Sequence, residues 1–176
     1  MGSLEGKVAI VTGSSSGIGE AIARLLHAEG ATVVVNSARS VEAGQAVADE
    51  LGTSYVQADV SDGAEAARLV EATLEAHGRL DILINNAGTT HVIPHHDIEA
   101  VTDEVWHDIL DVNVIGTWNV TKAAVPHLKA SGAGSIVNIT SIAGVRPRGS
   151  SIPYAVSKAA LNHMTVLLAG GHRRST

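Results

Sequence analysis

The segment Thr12-Gly13-Ser14-Ser15-Ser16-Gly17-Ile18-Gly19 decides how this sequence folds. It follows an apolar, β-branched run at residues 7–12 and precedes residues 18–26, where apolar side chains recur at helical spacing. A glycine-rich turn between a strand and a helix offers free backbone N–H groups at the positive end of the helix. We therefore predict an anion-binding turn, although its Gly-x-x-x-Gly-x-Gly spacing differs from the common dinucleotide fingerprint and from the P-loop.

Short apolar runs alternate with helical patterns along the rest of the chain. Further strands are predicted at residues 32–35, 54–58, 80–84 and 135–139, and helices at 40–51, 61–77 and from Thr102 onward, with a bend at Pro126. This alternation is typical of a parallel sheet covered by helices on both faces. The predicted fold class is α/β, a doubly wound parallel sheet of the Rossmann type.

Composition excludes several classes of protein. The chain has 176 residues, 45% of them apolar, a formal net charge of −6 and no cysteine. The high apolar content makes a disordered chain unfavourable. The absence of a basic cluster disfavours nucleic-acid binding, and the lack of cysteine excludes thiol chemistry. Because no targeting segment or membrane-spanning run is visible, we expect a cytoplasmic protein with no nucleic-acid or membrane partner.

The same turn also fits a different motif. Residues 13–17 match Gly-x-Ser-x-Gly, the nucleophile elbow of α/β-hydrolases, with Ser15 as the candidate nucleophile. An elbow normally follows earlier strands of its sheet, whereas this turn follows the first strand, and no Asp and His follow at clear strand ends. A serine hydrolase therefore stays open as a minor alternative.

A second candidate site lies near the end of the sequence. Tyr154 and Lys158 are four residues apart, so they share one face if the segment is helical. Pro153 suits a first helical turn, and Ser150 or Ser151 could cap it. An ammonium beside a phenol favours the phenolate, which makes the pair a candidate general acid and base near neutral pH.

Taken together, the motifs point to a known family. The glycine turn, Asn85–Gly88, Asn113, Ser141 and the Tyr154-x-x-x-Lys158 pair occur in this order. The chain thereby resembles the short-chain dehydrogenase/reductase family from Gly6 to about Leu168, with a motif order similar to that of 3-oxoacyl carrier-protein reductases. The resemblance implies one NAD(P)-binding Rossmann domain over residues 1–176. It also implies an oxidoreductase that moves hydride between nicotinamide and an alcohol or carbonyl compound.

The resemblance implies a role for each catalytic candidate. Tyr154 would be the acid and base, and Lys158 would tune it and hold the nicotinamide ribose. Ser141 would hydrogen-bond the substrate oxygen, and Asn113 would hold a water of the proton relay. No metal is implied.

The resemblance also implies a set of cofactor contacts. In the turn, the residues that would bind the pyrophosphate are Gly13, Ser15, Gly17, Ile18 and Gly19. After the third strand, Asp59 and Val60 would border the adenine. After the fourth strand, the cofactor would be supported by Asn86, Ala87 and Gly88.

The end of the second strand bears on the choice between NADP and NAD. An acidic residue there would bind a ribose diol and repel a 2′-phosphate. The sequence has Asn36 and Ser37 at this place and Arg39 nearby. A neutral residue followed by a cation favours NADP, and NAD stays possible because the turn itself carries no Arg or Lys.

A histidine-rich loop spans residues 89–101. His91, His95 and His96 lie within it, but no cluster of carboxylate ligands accompanies them. Solvated histidines are therefore expected rather than a metal site.

The resemblance ends at residues 169–176, a polar tail unlike the family. We expect a truncation or a frame change there, so that the last strands of the family fold are missing and an apolar sheet edge is exposed. Weak or absent turnover by this chain alone is expected, with a nucleotide-binding module as the alternative function. A homo-oligomer formed through the long helix and the Tyr–Lys helix is also expected.

Overall fold

A computed structural model describes residues 2–171. The five strands in this range are β1 (Val8–Val11), β2 (Thr32–Ser37), β3 (Tyr55–Gln57), β4 (Ile82–Asn85) and β5 (Ser135–Asn138). They form a sheet in the order β3-β2-β1-β4-β5, and β1 pairs in parallel with both β2 and β4. The α/β fold class predicted from the alternating pattern is confirmed. Of the tail predicted at residues 169–176, residues 169–171 lie in the last helix, which ends at Gly171, and residues 172–176 lie outside the described residues.

Helices connect the strands. They are α1 (Gly17–Ala28), α2 (Val41–Leu51), α3 (Gly63–His77), α4 (Asp103–Leu110), α5 (Thr117–Ala130) and α6 (Ile152–Gly171). A π-helical segment, Asp111–Gly116, separates α4 from α5, and a 3₁₀ turn, Ile142–Gly144, precedes α6. Within residues 2–171, every helix is too short or too polar to span a bilayer.

The β-branched composition of the strands explains the core. Ile10, Val33, Val34 and Leu83 are fully enclosed, as expected for a parallel sheet with both faces covered. Burying a side chain of this size contributes about 1.5–3 kcal/mol. The strands are therefore rigid supports, and the segments at the carboxyl ends of β1, β3 and β4 carry the glycine turn, Asp59, Val60 and residues 86–88.

The boundaries depart from the predicted ones at two informative places. β2 continues to Ser37, so Asn36 lies inside the strand instead of after it. The long helix predicted from Thr102 does begin there, with the Thr102 hydroxyl accepting a bond from the N–H of Val105. Its α-helical geometry gives way at Asp111–Gly116, well before Pro126, which lies inside α5.

The chain divides into two compact units. The first contains residues 2–87 and 116–137, which include β1–β4, most of β5, α1–α3 and α5. The second contains residues 88–115 and 138–171, which include α4, α6 and the histidine-rich loop.

Candidate functional site

In the first unit, the glycine turn links β1 to α1. Gly13 and Gly17 have positive φ values of 62° and 59°, a backbone conformation that residues with a side chain rarely adopt. No acceptor among the described residues is found for the amide N–H groups of Gly17, Ile18 and Gly19. Ile18 is 65% exposed, and a Cβ on Gly17 would meet nothing within 4 Å. Gly17 and Ile18 are exposed and Gly19 is buried, so the turn presents the N–H groups of Gly17 and Ile18 to open space at the start of a helix, a geometry suited to an anion.

Close packing fixes the inner side of the turn. A Cβ on Gly19 would lie 2.4 Å from the Gly13 oxygen and 2.5 Å from the Asn86 amide nitrogen. The Asn86 side chain donates to the backbone oxygens of Thr12 and Gly13 at 3.0 and 3.1 Å. The Thr12 hydroxyl in turn accepts from the N–H groups of Asn86 and Ala87, each at 3.0 Å. The segment after β4 thus supports the turn directly.

The Asn36 side chain is buried, and its hydrogen bonds go to other parts of the protein. It is 1% exposed. Its Oδ1 accepts from the Gly13 N–H at 3.2 Å, and its Nδ2 donates to the oxygens of Val56 and Ala58, both at 3.1 Å. The position of Asn36 near the strand end predicted a cofactor contact, but no sequence signal predicts this link between the turn and β3.

The groups beyond Asn36 differ in exposure. Ser37 is buried, and its hydroxyl bonds the Tyr55 hydroxyl at 2.9 Å and the Ser40 oxygen at 3.0 Å. Arg39 is exposed, and no ion pair or hydrogen bond to it is found within residues 2–171. Arg39 is therefore a cation two residues after β2, and no carboxylate within the described residues forms an ion pair with it.

Asp59 and Val60 follow β3. One carboxylate oxygen of Asp59 accepts from the N–H and the hydroxyl of Ser61, at 3.0 and 2.6 Å, so this side chain is held in one orientation. Val60 is buried, and its oxygen accepts from the Asn119 amide at 3.1 Å. These bonds order the loop predicted to border an adenine.

Ser15 shows no sign of activation as a nucleophile. No histidine within residues 2–171 hydrogen-bonds its hydroxyl, and no described non-glycine residue has a positive φ. The strained elbow and base of a serine hydrolase are therefore not found in the described chain. This geometry does not favour the hydrolase alternative.

In the second unit, α6 carries the Tyr–Lys pair one helical turn apart. Lys158 is 4% exposed, and its Nζ lies 5.7 Å from the centroid of the Tyr154 ring. The ammonium donates to the Ile139 oxygen at 2.8 Å. Burial lowers the pKa of Lys158, because desolvation disfavours the charged form. Tyr154 itself is half-buried.

The Asn113 side chain is held at the π-helical segment. Its Oδ1 accepts from the Thr89 N–H at 2.7 Å, and its Nδ2 donates to the Thr89 oxygen and the Ser157 hydroxyl, both at 3.0 Å. The Ser157 hydroxyl in turn donates a hydrogen bond to the Tyr154 backbone oxygen at 2.7 Å. Ser157 was not among the predicted site residues; its place inside the Tyr–Lys motif was the available signal.

Ser141 and Gly88 complete the second unit's candidates. The Ser141 hydroxyl accepts from the N–H of Ala143 at 3.2 Å, at the start of the 3₁₀ turn. A Cβ on Gly88 would lie 3.2 Å from Asn113 Oδ1 and 3.6 Å from Lys158 Nζ. Gly88 therefore keeps the space beside Asn113 and Lys158 clear.

The histidine-rich loop is anchored by other contacts. His91 Nε2 lies 3.2 Å from the Asp108 carboxylate, and the Ile93 N–H donates to the Ser150 oxygen at 2.7 Å. Across residues 2–171, no group of three or more potential ligands that could hold a metal ion is found.

The family model for the short chain dehydrogenases matches residues 7–175, so the chain belongs to the short-chain dehydrogenase/reductase family. It is 60% identical over 166 residues to the Streptomyces violaceoruber protein named ketoacyl reductase 2 of the granaticin polyketide synthase. That match covers 94% of this chain and 67% of the relative. A 7alpha-hydroxysteroid dehydrogenase from Clostridium sardiniense is 43% identical, with coverages of 94% and 65%.

A solved structure agrees in fold. Gluconate 5-dehydrogenase from Burkholderia cenocepacia J2315, crystallised with NADP and tartrate, superposes with a TM-score of 0.88 at 32% identity. The match covers 97% of this chain and 68% of that one. The Rossmann-type sheet and the predicted family are thus confirmed, and this chain spans about two thirds of the length of these relatives.

Proposed function

We propose that this protein transfers hydride between NADP(H) and a small alcohol or carbonyl compound, with Tyr154 as the general acid and base. The observation that carries the proposal is the buried Lys158 ammonium beside the Tyr154 ring. A cation held next to a phenol favours the phenolate and so eases proton transfer. Burial of this ammonium costs desolvation energy, and the pKa of Lys158 is lowered accordingly.

Each unit has hydrogen-bond donors that suit one part of a dinucleotide. The amide N–H groups of Gly17, Ile18 and Gly19 suit a pyrophosphate. Lys158 has three N–H donors, and its bond to Ile139 uses one; no other acceptor for it is found within the described chain. That lysine is proposed to bind the nicotinamide ribose hydroxyls. Bound NADPH would supply the hydride.

The remaining roles concern the proton and the substrate oxygen. Tyr154 is proposed to protonate the oxygen during reduction, and the Ser141 hydroxyl to donate a hydrogen bond to it. Asn113 is proposed to hold a water that returns the proton to Tyr154, and its bonds to Thr89 and Ser157 keep this part of the chain rigid. Fixed donors of this kind lower a barrier without reorganising during the reaction.

The preference for NADP over NAD is proposed to depend on Arg39. Its guanidinium is exposed and has no carboxylate partner within residues 2–171. A 2′-phosphate would gain a charge-assisted bond from it. Arg39→Ala is expected to weaken NADP binding about tenfold and to leave NAD binding nearly unchanged.

Binding and turnover are tested together on the purified chain. NADPH and NADH are titrated by calorimetry, and NADPH oxidation is then followed with a panel of ketones. Binding with hydride transfer supports the oxidoreductase. Binding without transfer to any ketone would instead favour a nucleotide-binding module, and labelling of Ser15 by a serine-hydrolase probe would favour the hydrolase.

A further inference from the structure

Asn36 on β2 forms a set of hydrogen bonds to Gly13, Ser14, Val56 and Ala58, which we call the clamp. Asn36 bonds the turn with both its side chain and its main chain: its N–H donates to the Ser14 hydroxyl at 3.1 Å, and its oxygen accepts from the Ser14 N–H at 2.8 Å. The side chain adds the bond from the Gly13 N–H and reaches across to the Val56 and Ala58 oxygens. One residue thus ties the turn to β2 and β3.

Only a carboxamide satisfies these partners. The position requires one acceptor facing the Gly13 N–H and two donors facing carbonyl oxygens, and both Nδ2 hydrogens are used. Aspartate has the same shape but would place a carboxylate oxygen against the Val56 and Ala58 oxygens. Alanine would leave the Gly13 donor and the Val56 and Ala58 acceptors without this partner, at buried or partly buried positions.

From this geometry we infer that Asn36 is a positioning residue that fixes the phosphate-binding turn and does not discriminate between NADP and NAD. The inference rests on the proposed function. Gly13 adopts a φ of 62°, and its N–H direction is set by the bond to Asn36. Gly13 is the first glycine of the turn whose later residues, 17–19, open α1 and have no intrahelical partner for their amides. Because the pyrophosphate is common to both cofactors, loss of the clamp weakens both equally.

The test compares two nucleotides across four variants. Dissociation constants for NADP and NAD are measured by calorimetry for Asn36→Ala, Asn36→Asp, Arg39→Ala and the control Gln45→Ala, which removes an exposed amide bonded to Asp49. Both Asn36 variants are expected to lose about tenfold in affinity for each nucleotide, so the NADP/NAD ratio stays unchanged. Arg39→Ala is expected to change the ratio, and Gln45→Ala to change neither constant.

A selective change at Asn36 would overturn the inference. If Asn36→Asp binds NAD more tightly than NADP, the side chain at position 36 contacts the ribose that carries the 2′-phosphate in NADP. If neither variant alters either constant, the clamp does not control the turn.

Amide hydrogen exchange on the unmodified protein gives a second readout that needs neither a variant nor a nucleotide. The Gly13 and Ser14 amides are expected to exchange slowly and those of the exposed residues Gly17 and Ile18 quickly. Equal rates would contradict the clamp. A third outcome is slow exchange at Gly13 and Ser14 in a protein that binds neither nucleotide. It would refute the proposed function and the role of Asn36 in nucleotide binding. It would still confirm that Asn36 fixes the conformation of the turn.

Discussion

The ammonium nitrogen of Lys158 lies 5.7 Å from the centroid of the Tyr154 ring, one turn further along α6. The lysine is almost fully enclosed, and the tyrosine is only half-buried. This difference places a desolvated cation behind a phenol that solvent and small molecules can still reach. The predictions about catalysis follow from that relationship.

Replacing Tyr154 by Phe should remove catalysis and spare binding. The phenyl ring keeps the packing against Lys158, and only the proton-carrying hydroxyl is lost. We expect turnover to fall by about 10²–10⁴-fold, the usual contribution of a general acid. Steady-state NADPH oxidation and a nucleotide titration on the same preparation measure the two effects, and a tenfold loss of nucleotide affinity would count against the assignment.

Replacing Lys158 by Met should change how stability depends on pH. Burial lowers the pKa of Lys158 below its usual 10.5, so between the two values the unfolded chain binds more protons than the folded one. The free energy of unfolding of the wild type should therefore rise relative to Lys158→Met as pH increases toward 10.5. Urea denaturation at a series of alkaline pH values checks this. A difference between the two proteins that stays constant over that range would disprove it.

Asp81 should control acid stability in the first unit. Its buried carboxylate accepts two bonds from Arg79, one from Lys7 and one from the Val8 N–H. The bonds to Arg79 contribute most to lowering its pKa from 3.8 to about 2. The stabilisation is thus present above pH 3.8 and is lost as pH falls toward about 2.

We expect Asp81→Asn to cost about 1–2 kcal/mol at neutral pH, because it removes the charge from a buried carboxylate whose Arg79 and Lys7 partners are partly exposed and screened by solvent. Chemical denaturation measures the loss, and the exposed Asp97→Asn serves as the matched control. If the two variants were equally stable, Asp81 would not have the structural role assigned to it.

Gly19 should tolerate no side chain. The added Cβ of Gly19→Ala would lie 2.4 Å from the Gly13 oxygen, so the turn must shift. We expect lower thermal stability and weaker nucleotide binding. Gly170→Ala is the control, since a Cβ there meets nothing within 4 Å and alanine favours the helix. Melting temperatures and nucleotide titrations of both variants test the contrast, and unchanged binding in Gly19→Ala would contradict it.

The sequence predicted the fold well because its signals are local. The β-branched runs and the glycines after α2 and α3 mark real boundaries: Gly52 and Gly78 both cap helices in the left-handed conformation. The π-helical segment carries no such signal. Its one hint is Gly116, where a Cβ would lie 2.7 Å from a methyl group of Val60, a contact known only after folding.

The candidate site shows the same limit. The identities of Tyr154 and Lys158 follow from spacing within one helix, but the bond from Lys158 to the Ile139 oxygen joins residues far apart in sequence. Asn36 was chosen for its position near a strand end. Its commitment to Val56 and Ala58 depends on how β3 aligns with β2, and no sequence pattern encodes that alignment.

The central claim is tested most directly by following the hydride itself. NADPH deuterated at the transferring position is mixed with excess protein and a panel of ketones, and the alcohols are analysed by mass spectrometry. A single turnover suffices, so a slow enzyme is still detected. The account predicts deuterium on the carbinol carbon with the wild type, and transfer about 10²–10⁴-fold slower with Tyr154→Phe at equal nucleotide saturation. Deuterium transfer at the same rate by Tyr154→Phe, or none from any ketone by nucleotide-saturated wild type, would contradict it.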